Sequence, residues 1–161
     1  MRGLQIILTL IGRLCLGTIF ILSAVHKIIN WQGTERGVIH MLCDWHAYVS
    51  HSDSLQAFFT SILPWVTALL VASTVIELLG GILVFFGVKA RFGAFLLLIF
   101  LIPTTILFHA FWFLDGARRD MQLAMFLKNL AIFGGLLYVL AYGARIRKKN
   151  YPSVDNPDLE S

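Results

Sequence analysis

The chain has 161 residues, of which 58% are hydrophobic and only 14% charged, with a mean hydropathy of +0.78. That balance excludes an ordinary soluble domain, and the length allows one domain. The net charge is +4 and the pI near 9.3, but the basic residues are spread as membrane anchors are, not gathered into a nucleic-acid patch.

Four stretches, Leu4–Val25, Pro64–Phe86, Phe92–Phe113 and Met121–Tyr142, are apolar and long enough to span a hydrocarbon core, which takes about 20 residues. Open sheet edges are not tolerated in lipid, so these are predicted helices. The expected fold is all-α: an integral membrane four-helix bundle with a short amphipathic helix in the outer loop between helices 1 and 2. Residues 1–143 form the membrane domain with its outer loop at 27–63, and residues 144–161 form a basic, then disordered, tail.

In chain order, the first span carries Arg13 inside its apolar run and lacks an A-x-A-like cleavage site, so it is expected to be retained rather than removed as a signal. In the following loop, Val38, Met41, Leu42, Trp45 and Val49 recur at helical spacing, which predicts the amphipathic helix on the outer membrane surface. "HMLCDWH" places His40, Cys43 and Asp44 on one face of it. These are borderline-metal ligand types, but three ligands from one helix without C-x-x-C or H-x-x-x-H spacing do not define a metal site. A solvated helix face explains the same residues. "SLQAFFTSIL" leads into Pro64, suited to a first helical position.

Span 2 carries Glu77, and span 3 carries His109 after the short connection "GVKAR". Span 4, after "LDGARRD", carries Lys128 and Asn129. Short connections make these helices antiparallel neighbours. "ELLGGILVFFG" and "AIFGGLLYVLAYG" also resemble each other. That pattern fits either two similar hairpins or the glycine pairs common wherever membrane helices pack closely.

Orientation follows from the basic residues. One side carries Arg2, Lys89, Arg91, Arg145, Arg147, Lys148 and Lys149, and the other Lys27, Arg36, Arg118 and Arg119. The positive-inside rule places both termini in the cytoplasm, and the expected setting of this multi-pass protein is a bacterial plasma membrane.

A lysine within a span costs on the order of 2.5–3.5 kcal/mol on insertion scales, so the intramembrane charges need partners. Lys128 shares its stripe with Ala124, Ala131 and Gly135, which predicts that it points into the bundle. Arg13 and Glu77 both count to mid-membrane, which predicts an ion pair, whether it fixes helix register or serves a ligand. Lys128 snorkelling to the headgroups is the alternative use of that residue. With Asn129, His109 and His26, these residues form an expected polar column that opens outward. Arg13, His26, Glu77, His109, Lys128 and Asn129 are therefore the candidate ligand-binding residues. Cys15 and Cys43 are too far apart in the expected fold to bridge and form no C-x-x-C, which speaks against a thiol–disulfide shuttle.

Three stretches, "GRLCLGTIFILSAVHKI", "IELLGGILVFFGVKARFGAFLLLIFLIPTTILFH" and "FLKNLAIFGGLLYVLAYG", resemble the DoxX family of small four-helix membrane proteins. The resemblance covers most of the chain from Gly12 to Gly143. It implies a four-helix bundle and an association with redox chemistry, since some relatives look like the small subunit of a membrane thiosulfate:quinone oxidoreductase and others accompany oxidant-defence proteins. By motif, Arg13, Glu77, His109, Lys128 and Asn129 carry over. The outer loop departs from the family by its length and its histidines.

The expected function is a redox-associated membrane subunit whose outward pocket takes a quinone or a small anionic or thiol-related ligand. No motif for a tightly bound cofactor is present, so electrons would come from a partner oxidoreductase subunit. One alternative is a non-enzymatic scaffold for an envelope or membrane protein, docking through the outer helix. Another is a small-solute or proton pathway, for which four helices make a thin wall unless the protein is an oligomer.

Overall fold

The computed structural model describes residues 2–143. The expected tail lies outside them. Six α-helices follow in order: α1 (Arg2–Ile29), α2 (Trp31–Tyr48), α3 (Asp53–Ile62), α4 (Val66–Phe86), α5 (Ala90–Phe108) and α6 (Gly116–Tyr142). Two 3₁₀ turns, Leu63–Trp65 and Phe111–Phe113, precede α4 and follow α5. Four helical segments are long and apolar enough to cross a membrane: Gly3–Ile29, Asp53–Phe86, Ala90–Phe113 and Gly116–Tyr142. Among the described residues there is no strand, so the all-α membrane bundle holds.

The four long helices pack in a row, α1 on α4, α4 on α5 and α5 on α6, with α1 and α6 touching much less. Glycine sets the spacing of the first two contacts. A methyl group on Gly17 would come within 2.6 Å of Phe85 Cβ and 2.9 Å of the Gly81 carbonyl oxygen. One on Gly80 would meet Leu97 Cγ at 2.7 Å, and one on Gly93 would meet Leu83 Cβ at 2.8 Å. The pair Gly80–Gly81 thus turns one glycine to α5 and the next to α1, letting both backbones come close. The similar pair in α6 is used differently. A methyl group on Gly135 would meet Leu16 of α1 at 3.3 Å, whereas one on Gly134 would have nothing within 4 Å. The two "GG" segments share a sequence pattern but not a packing role.

At one end, α2 and α3 form a lid across the bundle. Leu42, Val49, Phe59 and Val66 make a buried cluster there, separate from the main core around Val84, Leu97 and Leu136. Trp45 of α2 stacks on Phe59 of α3, meets Phe113 edge-on, and donates its indole N–H to the Leu107 carbonyl at 2.8 Å. Tyr48 stacks on Phe113 at 4.5 Å between centroids. The amphipathic helix expected between spans 1 and 2 is therefore present as α2, docked on the protein by its aromatic face. The third span, Ala90–Phe113, agrees with the predicted Phe92–Phe113 but is not α-helical throughout. The α-helix stops at Phe108, and the chain turns so that Trp112 and Phe113 reach Trp45.

The opposite, uncapped end is closed by the turn between α4 and α5. Gly87 at φ 73° terminates α4, and Lys89 at φ 47° starts the return. Arg91 then donates from Nη2 to the Ala141 carbonyl at 2.8 Å, tying the start of α5 to the last turn of α6.

Candidate functional site

The buried charge of this bundle is a lysine–glutamate pair. Lys27 Nζ lies 2.5 Å from Glu77 Oε2, with the two side chains 17% and 3% exposed. The same ammonium sits over the Phe100 ring, 4.5 Å from its centroid. Helices α1, α4 and α5 each supply one member, so carboxylate, ammonium and aromatic face meet where three helices adjoin.

This corrects the expected Arg13–Glu77 pair. Lys27 is fourteen residues beyond Arg13 on the same helix, about 21 Å along the axis at 1.5 Å per residue. The close contact of Gly17 with Phe85 and Gly81 fixes α1 against α4 so that Lys27, not Arg13, stands level with Glu77. Lys27 had been placed in the loop because the apolar run ends at Val25, whereas α1 continues to Ile29. A signal for it existed: Arg13, Phe20 and Lys27 recur every seven residues and share one face. Arg13 itself is partly buried, and its Nε is enclosed without a hydrogen-bond partner among the described residues.

The other candidates divide along the α5–α6 seam. Asn129 is buried and donates from Nδ2 to Thr105 Oγ1 at 3.0 Å. One turn nearer the lid, His109 Nδ1 and Gln122 Oε1 are 2.7 Å apart. Beside the Asn129–Thr105 bond is a recess of about 160 Å³, lined by Leu101, Ile102, Thr105, Ile106, Phe126, Asn129, Leu130 and Phe133. Its wall is apolar except for that one pair. Gln122 is not singled out by the sequence, because a glutamine near a span end has no distinctive spacing, and Thr105 stands four residues before His109 without any sign that it pairs with Asn129.

Lys128 and His26 are exposed, which corrects the inward placement of Lys128. Asn129, Ile132, Leu136 and Val139 form the buried stripe of α6, while Ala124 and Ala131 are exposed with Lys128. Small residues do not mark the packed face of α6: the larger apolar side chains and Asn129 hold it. The Lys128 ammonium reaches only the Met125 sulfur, at 3.4 Å. The single polar column is thus replaced by three separate places: the Lys27–Glu77 pair, the Asn129 seam and the outer face of α6. His40, Cys43 and Asp44 are all exposed on α2, and no cluster of three His, Cys, Asp or Glu that could hold a metal ion occurs among the described residues.

Comparison with known proteins gives a match to the DoxX family over residues 8–110. No curated protein and no solved structure matches the chain. The matched region holds Arg13, Lys27, Glu77, Phe100 and Thr105 but ends before α6, so Lys128 and Asn129 lie outside it. Residues 8 through 110 are 103 of the 161, more than half of the chain, and they run through three of its four spans. The chain therefore belongs to the DoxX family.

Proposed function

We propose that the α5–α6 recess receives a quinone headgroup and that the protein serves as a membrane subunit to a redox partner. The observation that carries this is the single hydrogen-bonding pair, Asn129–Thr105, on the wall of an otherwise apolar cleft. Pockets for small organic ligands combine apolar lining with a few polar groups of this kind. Binding would turn the second N–H of Asn129 and the Thr105 hydroxyl proton, both now almost wholly buried, toward a ring carbonyl, with Phe126 and Phe133 against the ring. Neither lysine nor arginine lines the cleft, which favours a neutral ring over the anionic ligand. Reduction to quinol takes two electrons and two protons. The electrons come from the partner subunit, and His109, oriented by Gln122 on the lid side of the same seam, would relay the protons. The setting is a bacterial plasma membrane, in which the basic residues favour cytoplasmic termini, and more strongly once Lys27 is counted inside the bundle, leaving seven against three.

The test is binding of a short-chain ubiquinone to purified protein in mild detergent, followed by Phe126 and Phe133 perturbation or by thermal shift. Thr105→Val with Asn129→Leu removes both polar partners together, so no buried group is left unpaired. Folding should be kept and affinity lost by about tenfold or more, as expected when 1.4 kcal/mol or more of recognition is removed. Equal binding by the double variant, or none by the wild type, would leave the scaffold reading ahead, with the exposed face of α2 as its contact.

A further inference from the structure

We infer that the face of α6 around Lys128 docks against a transmembrane helix of another protein that carries a carboxylate at the same depth. Lys128 lies seven residues past Met121, where the apolar run begins, about 10 Å deep at 1.5 Å per residue. Its side chain leans back toward the N-terminus, as helical side chains do, yet gets only to Met125. A thioether is a weak acceptor, and acyl chains offer none. An ammonium held there needs a partner that the described chain does not supply.

The surroundings favour a helix as that partner. Ala124 and Ala131 flank Lys128 on the exposed face. A neighbouring backbone can approach closely over such residues. Helix α1 touches this side of α6 at Leu16–Gly135, two turns away, and leaves Lys128 uncovered. The recess is elsewhere, since Asn129 is about 100° further round the helix, so this surface does not depend on the quinone reading.

Charge excludes a second copy as the occupant. A two-fold contact through this face would set Lys128 against Lys128. Glu77 is the sole carboxylate within the four apolar stretches, and Lys27 already holds it. The counter-charge must come from a different chain.

The experiment uses the full chain in phosphatidylcholine vesicles, with a donor fluorophore on Cys43 and Cys15→Ser. Acceptor-labelled polyleucine helices carry either one glutamate about 10 Å in from one end of the apolar run, the depth of Lys128, or leucine throughout. Energy transfer should show the glutamate helix binding wild type about tenfold or more tighter than the all-leucine helix. Lys128→Leu should abolish that difference, and Leu137→Ala, an exposed position on the opposite side of α6, should leave it intact. The inference fails if both helices bind wild type alike, or if Lys128→Leu keeps the preference, as it would were the lysine merely snorkelling to lipid headgroups. Disulfide-linked dimers of an Ala131→Cys chain without peptide would overturn it as well.

Discussion

Lys27 and Glu77 are buried to very different degrees, 17% and 3% exposed, so the two halves of the pair are not equally replaceable. Removing one charge from a buried pair strands the other, at about 3–5 kcal/mol, whereas an apolar substitute for both is often neutral. Glu77→Gln should therefore lower the detergent melting temperature markedly, and adding Lys27→Met should restore much of it. Arg13→Met should combine with Glu77→Gln additively, to within about 0.5 kcal/mol, since the two residues do not touch. Strong coupling between Arg13 and Glu77 in that cycle would contradict the register described above. At this scale the sequence told which residues were costly to bury, but not their partners. The apolar run ends at Val25, one turn before α1 does, which hides Lys27 as a residue of the span, and a count to mid-membrane sets Arg13, about four turns away, against Glu77 instead. Asn129 was legible because an amide beside a lysine in a greasy segment is conspicuous. Thr105, its partner, was not.

Along the helices, the register that decides those partners is set by glycine. Adding a methyl group at Gly17 drives it into Phe85 backbone and side chain, at 2.8 and 2.6 Å, with no flexible atom to give way. Gly17→Ala should destabilise by about 1–3 kcal/mol, the usual scale of overpacking. Gly134→Ala meets nothing and should be neutral or slightly stabilising, since alanine is the better helix former. Thermal melts of the two variants side by side check this, and a Gly134→Ala loss equal to that of Gly17→Ala would mean that α6 is packed as α4 is. The helices themselves were readable from hydropathy, and α2 from its apolar spacing. The early end of α5 was not, because Trp112 and Phe113 leave the helix to satisfy an aromatic cluster whose other members come from α2 and α3.

For the molecule as a whole, the row α1–α4–α5–α6 leaves the outer flanks of α1 and α6 broadly apolar and exposed, as lipid contact requires. Orientation can be read with a native thiol. Cys43 is exposed on the lid, so an impermeant maleimide should label it from outside intact cells, with Cys15 replaced by serine. Labelling only after the cells are opened would reverse the topology, and with it the side from which the proposed quinone site draws its protons. The lid has a further consequence, in the order of synthesis. Trp45 finds its acceptor, Leu107, 62 positions later in the chain, and its aromatic neighbours Trp112 and Phe113 later still. While the ribosome is still making α4, the lid therefore has no floor to rest on. Its apolar side must wait at the membrane interface until the third span has been threaded, so this end of the protein is finished out of sequence, by a helix made early and seated late.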